Sequence, residues 1–142
     1  MSDLSELLRS KSLKTVVTLA IIGIVGIILL FNTAFDPDMK VESGNLVIKG
    51  MYGMTLPISD IKELSLKDDA PLVLNKLNGI GFGNIMKGKF SVSELGKGKL
   101  FLHLNSSPFI YILYDDTYVI ISFKDAAKTK ALYDDLASVK VN

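Results

Sequence analysis

Four lysines occur in two Lys-Gly-Lys tripeptides, at residues 87–89 and 97–99. The tripeptides flank a short apolar stretch and can approach one another across a hairpin, which would gather Lys87, Lys89, Lys97 and Lys99 into one patch. An ammonium group near an anionic membrane surface contributes on the order of 1 kcal/mol to binding. The pattern therefore makes a binding surface for anionic lipid headgroups or an anionic wall polymer one hypothesis, while screened, solvated surface lysines are the favoured interpretation.

Glycines alternate with apolar residues in the segment 79–83, which reads Gly-Ile-Gly-Phe-Gly. A phosphate-binding loop needs a strand before such glycines and a helix after them, whereas this segment runs into a further predicted strand. We therefore interpret the glycines as turn residues. Ile80 and Phe82 either pack into the core or form an exposed apolar tip that contacts a protein partner.

Residues suited to catalysis or metal binding are sparse. His103 is the only histidine and there is no cysteine, although protein zinc sites need three or four ligands. The acid pairs fall in predicted turns or on a helix face, and Ser106 and Ser107 lack a G-x-S-x-G setting. We predict no enzymatic activity, no metal and no cofactor.

The charge balance argues against nucleic acid as a partner. From Asp36 onward the chain has 13 lysines, no arginine and 13 acidic residues, so the folded part is formally neutral. Electrostatic binding of nucleic acid needs a clustered basic surface instead. The chain of 142 residues has room for one ordinary domain.

Residues 15–35 form an uncharged apolar block, long enough as a helix to cross a hydrocarbon core of roughly 30 Å. A soluble core helix would show a polar face. A signal peptide cut after Ala34 would place Asn32 where a small residue is needed, so an uncleaved anchor is favoured. Three bases precede the block, and two bases, Lys40 and Lys49, follow it within range. This bias places tail 1–14 in the cytoplasm and the domain outside the cell membrane.

The domain, residues 36–142, is predicted to be mainly β. Short stretches rich in β-branched and aromatic residues alternate with turn residues from Val41 to Phe123, and residues 67–87 are interpreted as a loop. Asp125 is a predicted N-cap of a closing helix that runs to about Ser138 and buries Leu132 and Leu136 on one face.

Several local segments resemble the small bacterial pleckstrin-homology (PH) domain family. They are Ile58–Leu64, Asn78–Gly81, Gly88–Phe90 and Gly96–Leu100. The resemblance covers about Leu46 to Leu136. It implies a PH-like bent antiparallel β-sandwich or barrel of about seven strands capped by one C-terminal helix, in a family whose members often carry transmembrane segments. It transfers no functional residue.

Together these features predict a single-pass, membrane-tethered, non-catalytic module that binds a protein partner near the membrane. The binding element is expected to be an edge strand or the segment 79–83. The alternative is binding of anionic lipid headgroups or an envelope polymer through the lysines.

Overall fold

The computed structural model describes residues 5, 6, 9, 11–36 and 38–141. The chain divides into two compact units, Met1–Ala34 and Phe35–Asn142. Residues 1–4, 7, 8 and 10 of the predicted tail lie outside the described residues.

The apolar block is helical, as predicted, and the helix begins earlier than the block does. Helix α1 spans Lys11–Phe35, and its 25 residues extend about 37 Å at 1.5 Å per residue. Its most apolar window, Lys11–Ile28, has a mean hydropathy of 1.9 and none of its residues is buried. Among the described residues this is the one helix that is long and apolar enough to cross a membrane.

Residues 38–141 contain nine strands in two sheets, which confirms a mainly β domain. The smaller sheet has three antiparallel strands, β1 (Met39–Glu42), β2 (Asn45–Ile48) and β3 (Met54–Pro57). A short 3-10 helix, Ile58–Asp60, connects it to the larger sheet. The larger sheet contains β4 (Ile61–Lys67), β5 (Val73–Phe82), β6 (Ile85–Val92), β7 (Gly96–His103), β8 (Phe109–Tyr114) and β9 (Thr117–Ile121).

Strand order in the larger sheet is β4-β8-β9-β7-β6-β5. After β7 the chain forms β8 two positions away in the sheet and then returns as β9, which fills the position between them and is parallel to β7. The other pairings in the sheet are antiparallel. The sequence predicts a wholly antiparallel arrangement of about seven strands. The described residues differ from it in this parallel pair and in forming nine strands.

The prediction of a loop over residues 67–87 is wrong. Ten of these residues form β5, which pairs with the whole length of β6. The register shifts between Val73 and Asn75 and again between Lys76 and Asn78, so β5 lacks the strict alternation that identifies a strand in sequence. The predicted turn glycines Gly79 and Gly81 lie within β5, and Gly83 forms the turn to β6 at a φ of 57°.

Apolar side chains cover both faces of the larger sheet. The first core lies on the face that also contacts the smaller sheet and the C-terminal helix, and it includes Leu46, Ile48, Leu56, Phe101, Ile110, Ile112, Val119, Ile121 and Leu136. The second core lies on the opposite face and consists of Phe90, Val92, Leu100, Leu102, Phe109, Tyr111, Tyr118 and Ile120. The central strands β8 and β9 therefore contribute to both cores.

The larger sheet curls around the second core. Its edge strands β4 and β5 are joined by the five residues 68–72, which span at most about 20 Å. The connection is fixed at two points, because the backbone N–H of Ser93 donates to the Leu72 carbonyl (2.9 Å) and the Tyr111 hydroxyl donates to the Asp69 carbonyl (3.1 Å).

The closing helix was predicted correctly. Helix α2 spans Ala126–Val141 and is capped by Asp125, whose Oδ1 accepts the backbone N–H of Ala127 at 2.9 Å. Thr129, Leu132 and Leu136 are its buried residues, and Leu136 is fully enclosed in the first core.

Tyr118 is the polar anchor of the second core. It is 1% exposed, and its hydroxyl donates to the carbonyl oxygens of Gly96 (2.7 Å) and Phe90 (3.3 Å). Its ring covers Gly98 on the neighbouring strand. Burial disfavours the phenolate and raises the pKa of Tyr118 to about 12.

We expect Tyr118→Phe to change the alkaline stability of the domain. Below pH 10 the wild type should be more stable by about 1 kcal/mol, because the variant lacks the hydroxyl donor. Between about pH 10 and 12 the unfolded tyrosine ionises while the folded one stays neutral, so the wild type loses roughly 2 kcal/mol as pH rises. The variant should then become the more stable protein.

Urea unfolding of the full chain in detergent micelles at several pH values measures this difference. The other tyrosines titrate in both proteins and cancel from the comparison. A difference between the two proteins that does not change from pH 8 to pH 12 would show that Tyr118 is not held neutral by the fold.

Candidate binding surface

The six residues singled out in the sequence lie on one face of the larger sheet. Directly paired residues in an antiparallel ladder point to the same side, and so do residues two apart on one strand. The pairs Ile80–Lys87, Phe82–Ile85, Lys89–Lys99 and Ser91–Lys97 therefore place Ile80, Phe82, Lys87, Lys89, Lys97 and Lys99 together. We call this set the lysine face.

The four lysines of the lysine face differ in how far their side chains are buried. Lys87 is only 5% exposed, and its ammonium lies against the turn between β2 and β3, where a Cβ on Gly50 would be 3.8 Å from Nζ. Burial lowers the pKa of Lys87. Lys99 is half-buried and its Nζ donates to the carbonyl oxygen of Tyr52 in the same turn at 3.3 Å. These two lysines hold the turn of the smaller sheet against the larger one.

Lys89 and Lys97 are the exposed members of the lysine face. Within the described part of the chain, neither lies within ion-pair distance of a carboxylate. Lys76 on β5 is exposed as well, on the opposite face, because it pairs with Phe90 of the second core. The free cations at this end of the sheet therefore lie on both of its faces.

Strand β5 is the edge strand beside these cations. It is the last strand in the order of the larger sheet, and among the strands that the structure describes it pairs with β6 alone. Three of its large apolar side chains are exposed, Leu74 by 55%, Leu77 by 45% and Phe82 by 64%, while Ile80 is half-buried. Leu72, directly before the strand, is 67% exposed.

An open edge of this length is unusual for a monomeric domain. Natural sheets usually protect their edges with short strands, inward charges, proline or a covering element. Bulges in β5 and the lysine at position 76 are present, but Leu72, Leu74 and Leu77 are exposed within six residues at the start of this edge strand. Such a stretch is typical of an interaction site.

Close packing of two glycines lets β5 lie against β6. Gly79 and Gly88 are directly paired, and a Cβ on Gly88 would lie 2.6 Å from the Asn78 carbonyl oxygen and from the Gly79 Cα. Gly88 also has a φ of 123°, which favours glycine. Gly79 of β5 and Gly88 of β6 are thus required for the close approach of the two strands. The strand that follows Gly83 is not the helix that a phosphate-binding loop needs.

His103 has a structural role, in contact with Asp36 and Ser122. Its Nε2 lies 3.2 Å from Oδ1 of Asp36, and the same carboxylate oxygen accepts the backbone N–H of Lys124 at 3.4 Å. The backbone of His103 also bonds in both directions with the Ser122 hydroxyl. Among the described residues there is no group of three or more His, Cys, Asp or Glu side chains placed to hold a metal ion.

Leu74 and Leu77 were not identified from the sequence, because the segment that contains them was interpreted as a loop. One signal was available. The 20 residues from Val73 to Val92 contain three lysines and no acidic residue, in a domain with equal numbers of lysines and acidic residues.

Comparison of the chain with protein-family models, with curated proteins and with solved structures gives no match.

Proposed function

We propose that this chain is a membrane-tethered, non-catalytic interaction module that binds an extended segment of a protein partner along β5. One observation carries the proposal. Among the described strands, the ten-residue edge strand β5 pairs with β6 alone, and it exposes Leu74 and Leu77. An added strand would satisfy the open N–H and C=O groups of β5 and cover these side chains.

The tether in this proposal is α1, acting as a single-pass anchor in the cell membrane. Three bases, Arg9, Lys11 and Lys14, precede its apolar part, and the positive-inside rule then places the N-terminus in the cytoplasm and the β domain outside. In sequence, three residues separate the end of α1 at Phe35 from β1 at Met39. The partner is accordingly an envelope protein close to the membrane.

A PH-like arrangement is part of the proposal. It is supported by two sheets that share a core with a C-terminal helix. The parallel pairing of β7 with β9 is a departure from it. The binding site does not depend on this assignment, because it follows from the position of β5 in the sheet.

A photo-crosslinking residue at position 77 in intact cells tests the proposal. We expect an adduct with one protein, formed through an extended segment that mass spectrometry identifies. A synthetic peptide of that segment should protect the β5 amides of the full chain from hydrogen exchange. Leu74→Glu should lower the adduct yield roughly tenfold, because it places a charge in the contact.

Two controls accompany this experiment. A crosslinker at the exposed Lys130 on α2 should not give the same adduct, and Val139→Glu, an equivalent change on α2, should leave the yield at position 77 unchanged. If position 77 captures no protein, or if position 130 captures the same one, β5 is not the binding element.

A further inference from the structure

Charge is segregated within the formally neutral domain. Strands β5 to β7 carry Lys76, Lys87, Lys89, Lys97 and Lys99, against the single carboxylate of Glu94 in the β6–β7 turn. The rest of the domain has eight lysines and twelve acidic residues. The open edge of β5 therefore lies in the positive sector of a domain with no net charge.

This distribution argues against a second copy of the chain as the occupant of β5. Edge-to-edge pairing of two copies would bring together two β5–β6 hairpins, each with three lysines and no acidic residue. Like charges on neighbouring strands are destabilising, and lysine at an edge is one of the devices that prevent such pairing. A segment of opposite charge gains from the same lysines.

Two lysines lie within reach of a strand added to β5. Lys76 is on β5 itself, so its side chain would be next to the added strand on the face of the second core. Lys89 is one strand further in, directly paired with the shorter Asn78. Strands are about 4.8 Å apart, so the added strand would lie roughly 10 Å from β6. An extended lysine side chain of roughly 6 Å passes over Asn78, and a glutamate side chain on the added strand covers the remaining distance.

We infer that the segment bound by β5 is acidic as well as extended, with Asp or Glu positioned to meet Lys76 on one face and Lys89 on the other. This inference rests on the proposed function and specifies the chemistry of its partner. The apolar side chains on either side of these acids pack on Leu74 and Leu77, and the acids determine which extended segments are accepted.

Peptide binding to the full chain in phosphatidylcholine nanodiscs tests this inference. The probes are two synthetic peptides as long as β5 that alternate valine and threonine. One carries two glutamates at neighbouring central positions, and its twin carries two lysines there. At low salt we expect the glutamate peptide to bind roughly tenfold more tightly than its twin.

Charge-neutral variants test whether Lys76 and Lys89 cause the preference for the glutamate peptide. Lys76→Gln with Lys89→Gln should reduce the preference to less than about threefold, whereas the matched pair Lys130→Gln with Lys140→Gln on α2 should retain it. Equal binding of both peptides, or a preference that survives in the Lys76 and Lys89 double variant, would overturn the inference. So would the absence of binding by either peptide.

The outcomes for this inference and for the proposed function remain distinct. If the crosslinker at Leu77 identifies a segment without acidic residues, strand addition stands and the charge preference is wrong. If nanodiscs that contain phosphatidylglycerol protect the β5 amides in the absence of any peptide, and neither peptide binds, the occupant is the anionic bilayer and both proposals are overturned.

Discussion

Gly98→Val will lower the free energy of unfolding of the β domain by about 3 kcal/mol. A Cβ at this position would lie 2.6 Å from Cε2 and Cζ of the Tyr118 ring, far inside van der Waals contact. The ring cannot yield, because Tyr118 is 1% exposed and its hydroxyl is bonded to two carbonyl oxygens. Urea unfolding of the full chain in detergent micelles measures the loss.

Gly81→Val is the matched control for this change. Gly81 lies in β5, and a Cβ there meets nothing within 4 Å, so its substitution should alter stability by less than about 0.5 kcal/mol. Tyr118→Ala combined with Gly98→Val should be no less stable than Tyr118→Ala alone, because the clash is gone. Wild-type stability for Gly98→Val would mean that the Tyr118 ring does not lie on Gly98.

Gly88→Val will separate β5 from β6 while the rest of the domain stays folded. The new side chain would meet backbone atoms of Asn78 and Gly79, which can move only if the strands part, and the φ of 123° adds strain. β5 has little to hold it otherwise, since most of its residues are exposed. Regions with few buried contacts open independently of the core.

Hydrogen exchange of the full chain measures this separation. We expect residues 73–82 to lose their protection by at least roughly tenfold, while β8 and β9, which contribute to both cores, keep theirs. Any segment bound along β5 should be released. Gly44→Val is the control, because Gly44 has a φ of 78° but open space around it. Loss of protection in β8 and β9 together with β5 would contradict the prediction.

Predictions from the sequence are most accurate for elements that are determined by residues close together in the chain. The N-cap at Asp125 and the spacing of Leu132 and Leu136 were enough to place α2 and its buried face, since both follow from helix geometry. The apolar block was likewise enough to predict α1. A mainly β domain followed from the composition of the segments between turns.

Features that depend on distant parts of the chain could not be predicted in the same way. The pairing of β7 with β9 is set by the position that β8 takes between two other strands, and no local pattern encodes it. Burial of Lys87 depends on a turn 37 residues earlier in the chain, at Gly50. The bulges of β5 result from its pairing with β6, so the alternation expected of a strand was absent from the sequence.

Asp36 determines where mechanical tension enters the β domain. Its carboxylate contacts His103 at the end of β7 and the backbone N–H of Lys124 before α2, three residues upstream of β1. A pull exerted on the chain through α1 therefore loads the larger sheet first. The three-stranded sheet that begins at Met39 is loaded along its own strands only after the Asp36 contacts break.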